Sequence, residues 1–133
     1  KLLGITIIMV THDLEEAVKM ADVIAVMDKG ELLQLDSPET LLRHPRAGFV
    51  QSLVGGLDRS LRLLAIKRVG QVMTPLQQPL APSLPSIVAS ANLRDAMALL
   101  IWEQAERLQV LDANGIPIGQ LSMSDLLQQG ARA

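Results

Sequence analysis

The first side chains in the sequence that could act on a substrate are His12 and Asp13. They follow an apolar run, Ile5 to Val10, that is interrupted only by Thr6. A histidine can donate a hydrogen bond to a phosphate oxygen, and ligands gather at the carboxyl ends of strands in open α/β sheets. The position alone equally fits a histidine that is satisfied within the fold at the end of a strand.

Metal chemistry at this place is a poor fit. The chain has two histidines, and His44 lies before Pro45 in a different element from His12. No further cluster of ligands completes a metal shell around His12 and Asp13, so the sequence predicts no metal site formed by its own residues.

The elements around His12 follow from the pattern of apolar residues. The run from Ile5 to Val10 is rich in β-branched residues, which predicts a strand buried on both faces of a parallel sheet. Asp13 with Glu16 predicts a helix N-cap for a helix over residues 14–20. Two strands, 23–27 and 31–35, form a predicted hairpin with Gly30 in its turn, and Ser37-Pro38 begins the next helix.

Composition limits the classes of function. The 133 residues suffice for one domain or two small units, and 12 basic against 14 acidic side chains leave no excess of positive charge for nucleic acid. Without cysteine there is no disulfide framework. The apolar runs are far shorter than the roughly 18 residues of a membrane span. A buried strand so close to Lys1 predicts that the chain is a fragment, because a parallel strand needs neighbours.

A second unit is predicted after a proline-rich loop. Its elements are a strand near residues 87–89, an amphipathic helix capped by Asn92, a hairpin over residues 108–121, and a final helix over residues 123–129. Pro117 predicts an edge position or a late start for its strand. Trp102 is predicted to pack in the core of this unit or at a dimer face.

The region around His12 resembles the switch-histidine region of ABC transporter ATPases. The resemblance rests on Val10-Thr11-His12-Asp13, then Glu15-Glu16-Ala17, then the stretch from Ala21-Asp22 to Lys29-Gly30. It implies that His12 is catalytic and ATP-binding, contacting the γ-phosphate and helping to position the attacking water. It also implies that the magnesium ligands lie upstream, because this chain has no Gly-x-x-x-x-Gly-Lys-Ser/Thr phosphate loop.

The following segment is similar to the osmoprotectant branch of these importers, which carry glycine betaine, choline and related quaternary ammonium compounds. The similarity rests on Gln34 to Glu39 with its Asp36-Ser37 pair, on His44-Pro45, and on Gly56-Leu57-Asp58-Arg59.

The C-terminal part resembles a single cystathionine-β-synthase-type (CBS) motif, through Val72-Met73-Thr74-Pro75 and the stretch from Gly119 to Asp125. Such motifs work in pairs, and the resemblance implies that Ser122 and Asp125 could contact the phosphate and ribose of a regulatory nucleotide. The plainer alternative is a capping box that binds no ligand. The module could instead sense ionic strength or only dimerise.

The predicted fold class is therefore α/β: a C-terminal fragment of a P-loop-type ABC nucleotide-binding domain, followed by a small α+β CBS-type unit. The predicted division is residues 1–56 for the ATPase part, 57–68 for a linker and 69–130 for the CBS-type unit. The basic residues near this linker predict a solvated helix face, with contact to membrane lipids as the alternative.

The resemblance implies a function for the whole subunit. It would hydrolyse ATP, with Mg²⁺, to power osmoprotectant import from the cytoplasmic side of the cell membrane. Its partners would be a second ATPase subunit, membrane permease subunits and, indirectly, a substrate-binding protein, with no nucleic acid. The chain alone is predicted to be inactive. The alternative function is a non-enzymatic CBS module for regulation or dimerisation that binds adenine nucleotides.

Overall fold

The computed structural model describes residues 3–131, which form a mixed α/β structure. The predicted fold class is confirmed to that extent. The elements in chain order are α1 (Leu14–Met20), β1 (Ile24–Asp28), β2 (Glu31–Asp36), α2 (Pro38–Arg43), α3 (Phe49–Val54), α4 (Arg59–Ile66), α5 (Val69–Val72), β3 (Thr74–Pro75), β4 (Ser86–Val88), α6 (Leu93–Trp102), β5 (Arg107–Leu111), β6 (Pro117–Ser122) and α7 (Met123–Gly130).

Strands β1 and β2 form the predicted antiparallel hairpin. Lys29 and Gly30 connect them with φ values of 49° and 78°, the left-handed geometry that a tight two-residue turn requires. The buried side chain of Gln34 accepts from the amide of Arg46 at 2.8 Å and donates to the carbonyl of His44 at 3.1 Å. These bonds hold the loop after α2 against the hairpin.

The second sheet has four strands in the order β3-β6-β5-β4. The pair β5–β6 is the predicted hairpin, and Asp112 Oδ1 holds its turn by accepting from the amides of Asn114 and Ile116. β4 runs parallel to β5, and α6 makes the crossover between them. Pro117 begins β6, which lies between two other strands, so its late strand start is confirmed and its edge position is wrong.

Two apolar cores lie on either side of α4. The first core gathers side chains of α1, the hairpin, α2, α3 and Leu63, whereas the second gathers α6, α7, the four-stranded sheet and Leu64. Adjacent residues of one helix therefore belong to different cores. α4 occupies most of the predicted linker and is packed on both sides, so only part of its surface is solvated.

The predicted buried strand over residues 5–10 is wrong for the structure of this chain. The segment belongs to no strand, and the side chains of Ile7, Ile8 and Val10 are 83%, 89% and 92% exposed. A strand forms only where a neighbour accepts its backbone hydrogen bonds, and no strand among residues 3–131 lies beside it.

Two surface properties bear on function. Trp102 is 84% exposed, so its predicted place in the core is wrong and only the dimer face remains as a prediction. In the part of the chain that the structure describes, no helix is both long enough and apolar enough to cross a membrane.

Candidate functional site: the His12 loop and the junction of the two units

His12 lies in a short loop that α1 holds in place. Asp13 is the predicted N-cap, and its Oδ1 accepts from the amides of Glu15 at 2.9 Å and Glu16 at 3.2 Å. The hydroxyl of Thr11 accepts from the amide of Asp13 at 3.0 Å and donates to the carboxylate of Glu16 at 2.8 Å. These bonds fix the backbone on either side of His12 without using its side chain.

The imidazole of His12 is therefore free to meet a ligand. It is exposed and forms no side-chain hydrogen bond with any of residues 3–131. A neutral imidazole carries one N–H donor and one acceptor, so it can donate to a phosphate oxygen brought to this loop. Among the same residues, no three His, Asp or Glu side chains are grouped so that they could hold a metal ion.

Ser122 and Asp125 form a complete capping box at the start of α7. The hydroxyl of Ser122 accepts from the amide of Asp125 at 3.2 Å, and Asp125 Oδ2 accepts from the amide of Ser122 at 2.9 Å. The same carboxylate oxygen also accepts from the Ser122 hydroxyl at 2.7 Å. The cap therefore uses the hydroxyl of Ser122 and Oδ2 of Asp125. Of the oxygens in these two side chains, only Asp125 Oδ1 has no hydrogen bond to a described residue.

Gly119 allows the segment before the proline-rich loop to approach β6. A Cβ at this position would lie 2.6 Å from the sulfur of Met73 and 2.9 Å from the carbonyl oxygen of Thr74. Any larger residue would push β3 away from β6. The two stretches that carry the CBS resemblance, around Met73 and around Ser122, are therefore in contact through this sheet.

A polar cluster joins the two units, and the sequence did not reveal it. We call Glu39, Arg43, Lys67 and Gln129 the junction cluster. Glu39 Oε1 lies 3.0 Å from both Arg43 Nε and Lys67 Nζ, and Lys67 Nζ donates to Gln129 Oε1 at 2.9 Å. The guanidinium of Arg43 also donates to the carbonyls of Gln129 at 3.0 Å and Ala131 at 3.2 Å.

This arrangement caps α7 with a side chain from α2. The last carbonyls of a helix lack partners within the helix, and a cation near them is favoured by the helix dipole. The hydrogen bond from Lys67, with a further contribution from Arg43, lowers the pKa of Glu39 below its ordinary value of 4.5. Because 86 residues separate Arg43 from Gln129, no local pattern could have predicted the contact.

Comparison with known proteins gives this geometry a context. The chain is 35% identical to the glycine betaine uptake system ATP-binding protein YehX of Escherichia coli K12. The alignment spans 127 residues, which is 96% of this chain. It is 34% identical over 127 residues to the carnitine transport ATP-binding protein OpuCA of Listeria monocytogenes. The chain is related to the ATP-binding subunits of osmoprotectant importers. The predicted resemblance to this family of ABC proteins is confirmed.

The matches cover only part of each relative. The chain spans 40% of the length of the YehX protein and 30% of the length of the OpuCA protein. A solved structure of CBSX2 in complex with AMP is 28% identical and covers 86% of this chain and 76% of its own, with a TM-score of 0.33. A TM-score this low does not establish a shared fold. No protein-family model matches the chain.

The structure does not bring the predicted site residues together. His12 precedes α1, whose buried Val18 belongs to the first core, whereas Ser122 and Asp125 begin α7, whose Leu126 belongs to the second core. The roles of His12, Ser122 and Asp125 thus concern two separate places on the molecule, connected through α4 and the junction cluster.

Proposed function

We propose that this chain is the C-terminal part of an ATP-hydrolysing subunit that powers import of an osmoprotectant such as glycine betaine, choline or a related quaternary ammonium compound. Its relationship to ATP-binding subunits of such importers over nearly its whole length supports this proposal. In this proposal the subunit pairs with a second ATPase subunit and works with membrane permease subunits and, indirectly, a substrate-binding protein. It acts as a peripheral protein on the cytoplasmic side of the cell membrane.

The observation that carries the proposal is the exposed apolar segment that leads to His12. Residues 5–10 have the composition of a strand buried on both faces, yet Ile8 and Val10 are about nine-tenths exposed. Met27, Leu32 and Leu35 of the neighbouring hairpin are also more than half exposed. These surfaces fit a sheet whose other strands belong to the remainder of an ATPase domain, and in such a sheet His12 stands at a carboxyl end.

In the proposed reaction His12 donates one hydrogen bond to a γ-phosphate oxygen. Water attacks the γ-phosphorus while the bond to the β–γ bridging oxygen breaks, and catalysis depends on positioning and on stabilising charge. The capped loop around Thr11 and Asp13 supports this role, because it fixes the backbone that carries the imidazole. The imidazole would thus act as a positioned donor rather than as part of a metal site.

His12 is the one described residue that we propose to contact ATP. No acidic cluster among residues 3–131 is suited to Mg²⁺, and the sequence has no phosphate loop. We therefore assign the magnesium ligands and the phosphate cradle to the upstream part of the subunit. The chain by itself should not hydrolyse ATP, and turnover by the pure 133-residue protein would contradict this part of the proposal.

The test of His12 uses the whole subunit in its importer complex. His12→Ala should leave ATP binding largely intact and reduce hydrolysis about 100-fold, which is the usual cost of losing one preorganised donor. His44→Ala is the matched control, because the side chain of His44 is exposed and the hydrogen bonds of this residue come from its backbone N–H and carbonyl. Equal turnover in the two variants would show that His12 is not a catalytic residue.

We also propose that the second unit is a single CBS-type regulatory unit, as the contact between its two resembling stretches supports. A regulatory nucleotide would place its ribose hydroxyls at the unpaired oxygen of Asp125 and its phosphate at Ser122. Titration calorimetry with AMP tests this assignment. Ser122→Gly and Asp125→Asn should weaken binding, and binding that is unaffected by both would make the capping box a purely structural feature.

The alternative is a non-enzymatic CBS module in which the His12 region has no catalytic part. The two functions differ in one measurement on the whole subunit, ATP hydrolysis. If turnover is present and falls in His12→Ala, the ATPase function holds. If turnover is absent while AMP binds at Ser122 and Asp125, the module is regulatory only.

A further inference from the structure

Helix α1, which follows the His12 loop, is tied to helix α4 by an ion pair that the proposed function does not use. Glu15 Oε1 lies 3.9 Å from Arg62 Nε, and Glu15 is the one acid that pairs with Arg62 among residues 3–131. The side chain of Arg62 is only 19% exposed, and its Nε is buried without a hydrogen bond to any of these residues. Moving α1 away from α4 would therefore leave a largely buried cation without its counter-charge, which is unfavourable.

Helix α4 is a firm support for this contact because it is packed on two sides. Leu63 belongs to the first core and Leu64 to the second. The end of α7 lies directly on α4, since a Cβ at Gly130 would meet side-chain atoms of Ser60 and Leu64 at 3.6 Å. Both units therefore hold the helix that carries Arg62.

The other end of the contact lies beside His12. The amide of Glu15 donates to the carboxylate of Asp13 at 2.9 Å. The carboxylate of the next residue, Glu16, accepts from the hydroxyl of Thr11 at 2.8 Å. A displacement of the first turn of α1 would therefore be transmitted to both residues that flank His12.

We propose that Arg62 is a positioning residue for His12. Its ion pair with Glu15 holds α1 on α4 and thereby holds the imidazole where it donates to the γ-phosphate. Such placement matters, because a shift of about 1 Å at a reacting group can lower turnover about 100-fold. The inference rests on the proposed ATPase function and adds to it a residue from the helix that both units share.

The expected effect is moderate because solvent screens part of the pair. The side chain of Glu15 is 46% exposed. We therefore expect loss of the pair to lower kcat about fivefold, less than the about 100-fold expected for loss of the donor itself. KM for ATP should stay unchanged, since Arg62 acts only through His12 and His12 contributes little to ATP binding.

Two substitutions of Arg62 in the whole subunit, within its importer complex, test the ion pair. Arg62→Met keeps the apolar stem and removes the charge, so kcat should fall about fivefold at an unchanged KM. Arg62→Lys should recover most of this turnover, because lysine Nζ reaches at least as far as arginine Nε. An Arg62→Lys variant as slow as Arg62→Met would show that packing matters rather than charge, and would overturn the proposal.

Lys19→Ala is the matched control. Lys19 Nζ lies 3.6 Å from the other oxygen of the Glu15 carboxylate, but both residues belong to α1, so this pair does not tie α1 to α4. The Lys19→Ala variant should keep the kcat of the natural subunit. Equal turnover in Lys19→Ala and Arg62→Met would contradict the proposed role of the contact between the helices.

Two double variants separate positioning from a general loss of structure. Glu15→Gln should lower kcat as much as Arg62→Met, and the two together should cause no further loss, because each breaks the same pair. In a His12→Ala background, Arg62→Met should lower hydrolysis no further, since its effect passes through the imidazole. A further loss in either double variant would overturn the proposal.

The same variants separate this inference from the proposed function. If His12→Ala leaves turnover intact, the catalytic role of His12 fails and the inference fails with it. If His12→Ala lowers turnover about 100-fold while Arg62→Met keeps the natural kcat, the proposed function stands and only the inference is overturned.

Discussion

The β1–β2 hairpin and the four-stranded sheet differ in how completely the chain covers them. In the four-stranded sheet, Leu108, Val110 and Leu121 have no exposed surface, because α6 and α7 close over one face. In the hairpin, Ile24 and Val26 are buried on one face, while Met27, Leu32 and Leu35 remain more than half exposed. One sheet is completed by its own helices, and the other still presents apolar side chains to solvent.

This difference shows which of the two units is packed more completely by the residues of this chain. A hairpin of two strands is marginal by itself and needs packing on its faces for stability. The first unit packs one face with α1, α2 and α3 and leaves apolar surface on the other. The second unit has its apolar core within residues 64–130. We therefore expect the second unit to keep its structure in this chain more firmly than the first.

The largest expected effect compares the same substitution in the two sheets. Leu108→Ala removes a fully buried side chain and should lower the free energy of unfolding by about 3 kcal/mol. Leu35→Ala removes a side chain that is 57% exposed and should change it by less than about 0.5 kcal/mol. Urea unfolding followed by circular dichroism measures both.

The cost of Leu35→Ala can also be measured in the whole subunit. If the remainder of an ATPase domain covers the hairpin, Leu35→Ala should there cost more than about 1 kcal/mol, because the side chain becomes buried. A Leu35→Ala cost that stays near zero in the whole subunit would mean that this face of the hairpin remains open.

A smaller effect is expected at the junction that connects the two units. Arg43→Ala removes the hydrogen bonds to the carbonyls of Gln129, in the last turn of α7, and of Ala131, its C-cap, and should lower the free energy of unfolding by about 1–2 kcal/mol. Amide exchange should rise at the end of α7. Arg107→Ala, an exposed cation of the second unit, is the control, and equal losses in the two variants would show that the junction contributes nothing specific.

The smallest expected effect is a dependence of the junction on pH. Glu39 has a folded-state pKa below its ordinary 4.5, chiefly because it accepts a hydrogen bond from Lys67. Its contribution to stability is therefore present above pH 4.5 and is lost as the pH falls from that value through the lowered folded-state pKa. Because the side chain is 41% exposed, the loss should be a fraction of one kcal/mol.

Unfolding measured between pH 6 and pH 3 tests this dependence. The Glu39→Gln variant keeps the size of the side chain and removes the charge, so its stability should fall less over the acidic part of the range than that of the natural chain. Identical acid profiles for the two proteins would show that Glu39 gains nothing from Lys67 and Arg43.

Sequence reasoning succeeded where the cause is local. Asp13, Ser37, Asn92 and Ser122 are all N-caps, because each side chain satisfies an amide two or three residues along the chain. The hairpin turn at Gly30 follows in the same way from a positive φ that glycine adopts without strain. The candidate ligands His12, Ser122 and Asp125 could be named from such positions, together with the resemblance to known families.

The sequence by itself predicted the four capped helix starts, the two hairpins and the resemblance to importer ATPases. Only the tertiary structure decided that residues 5–10 lie exposed, that Trp102 points into solvent, and that Arg43 caps a helix of the other unit. The physical reason is the distance along the chain between the residues that interact. A cap or turn is stabilised within a few residues, whereas burial and long-range ion pairs depend on which surfaces meet, and no local window of sequence contains both sides of that contact.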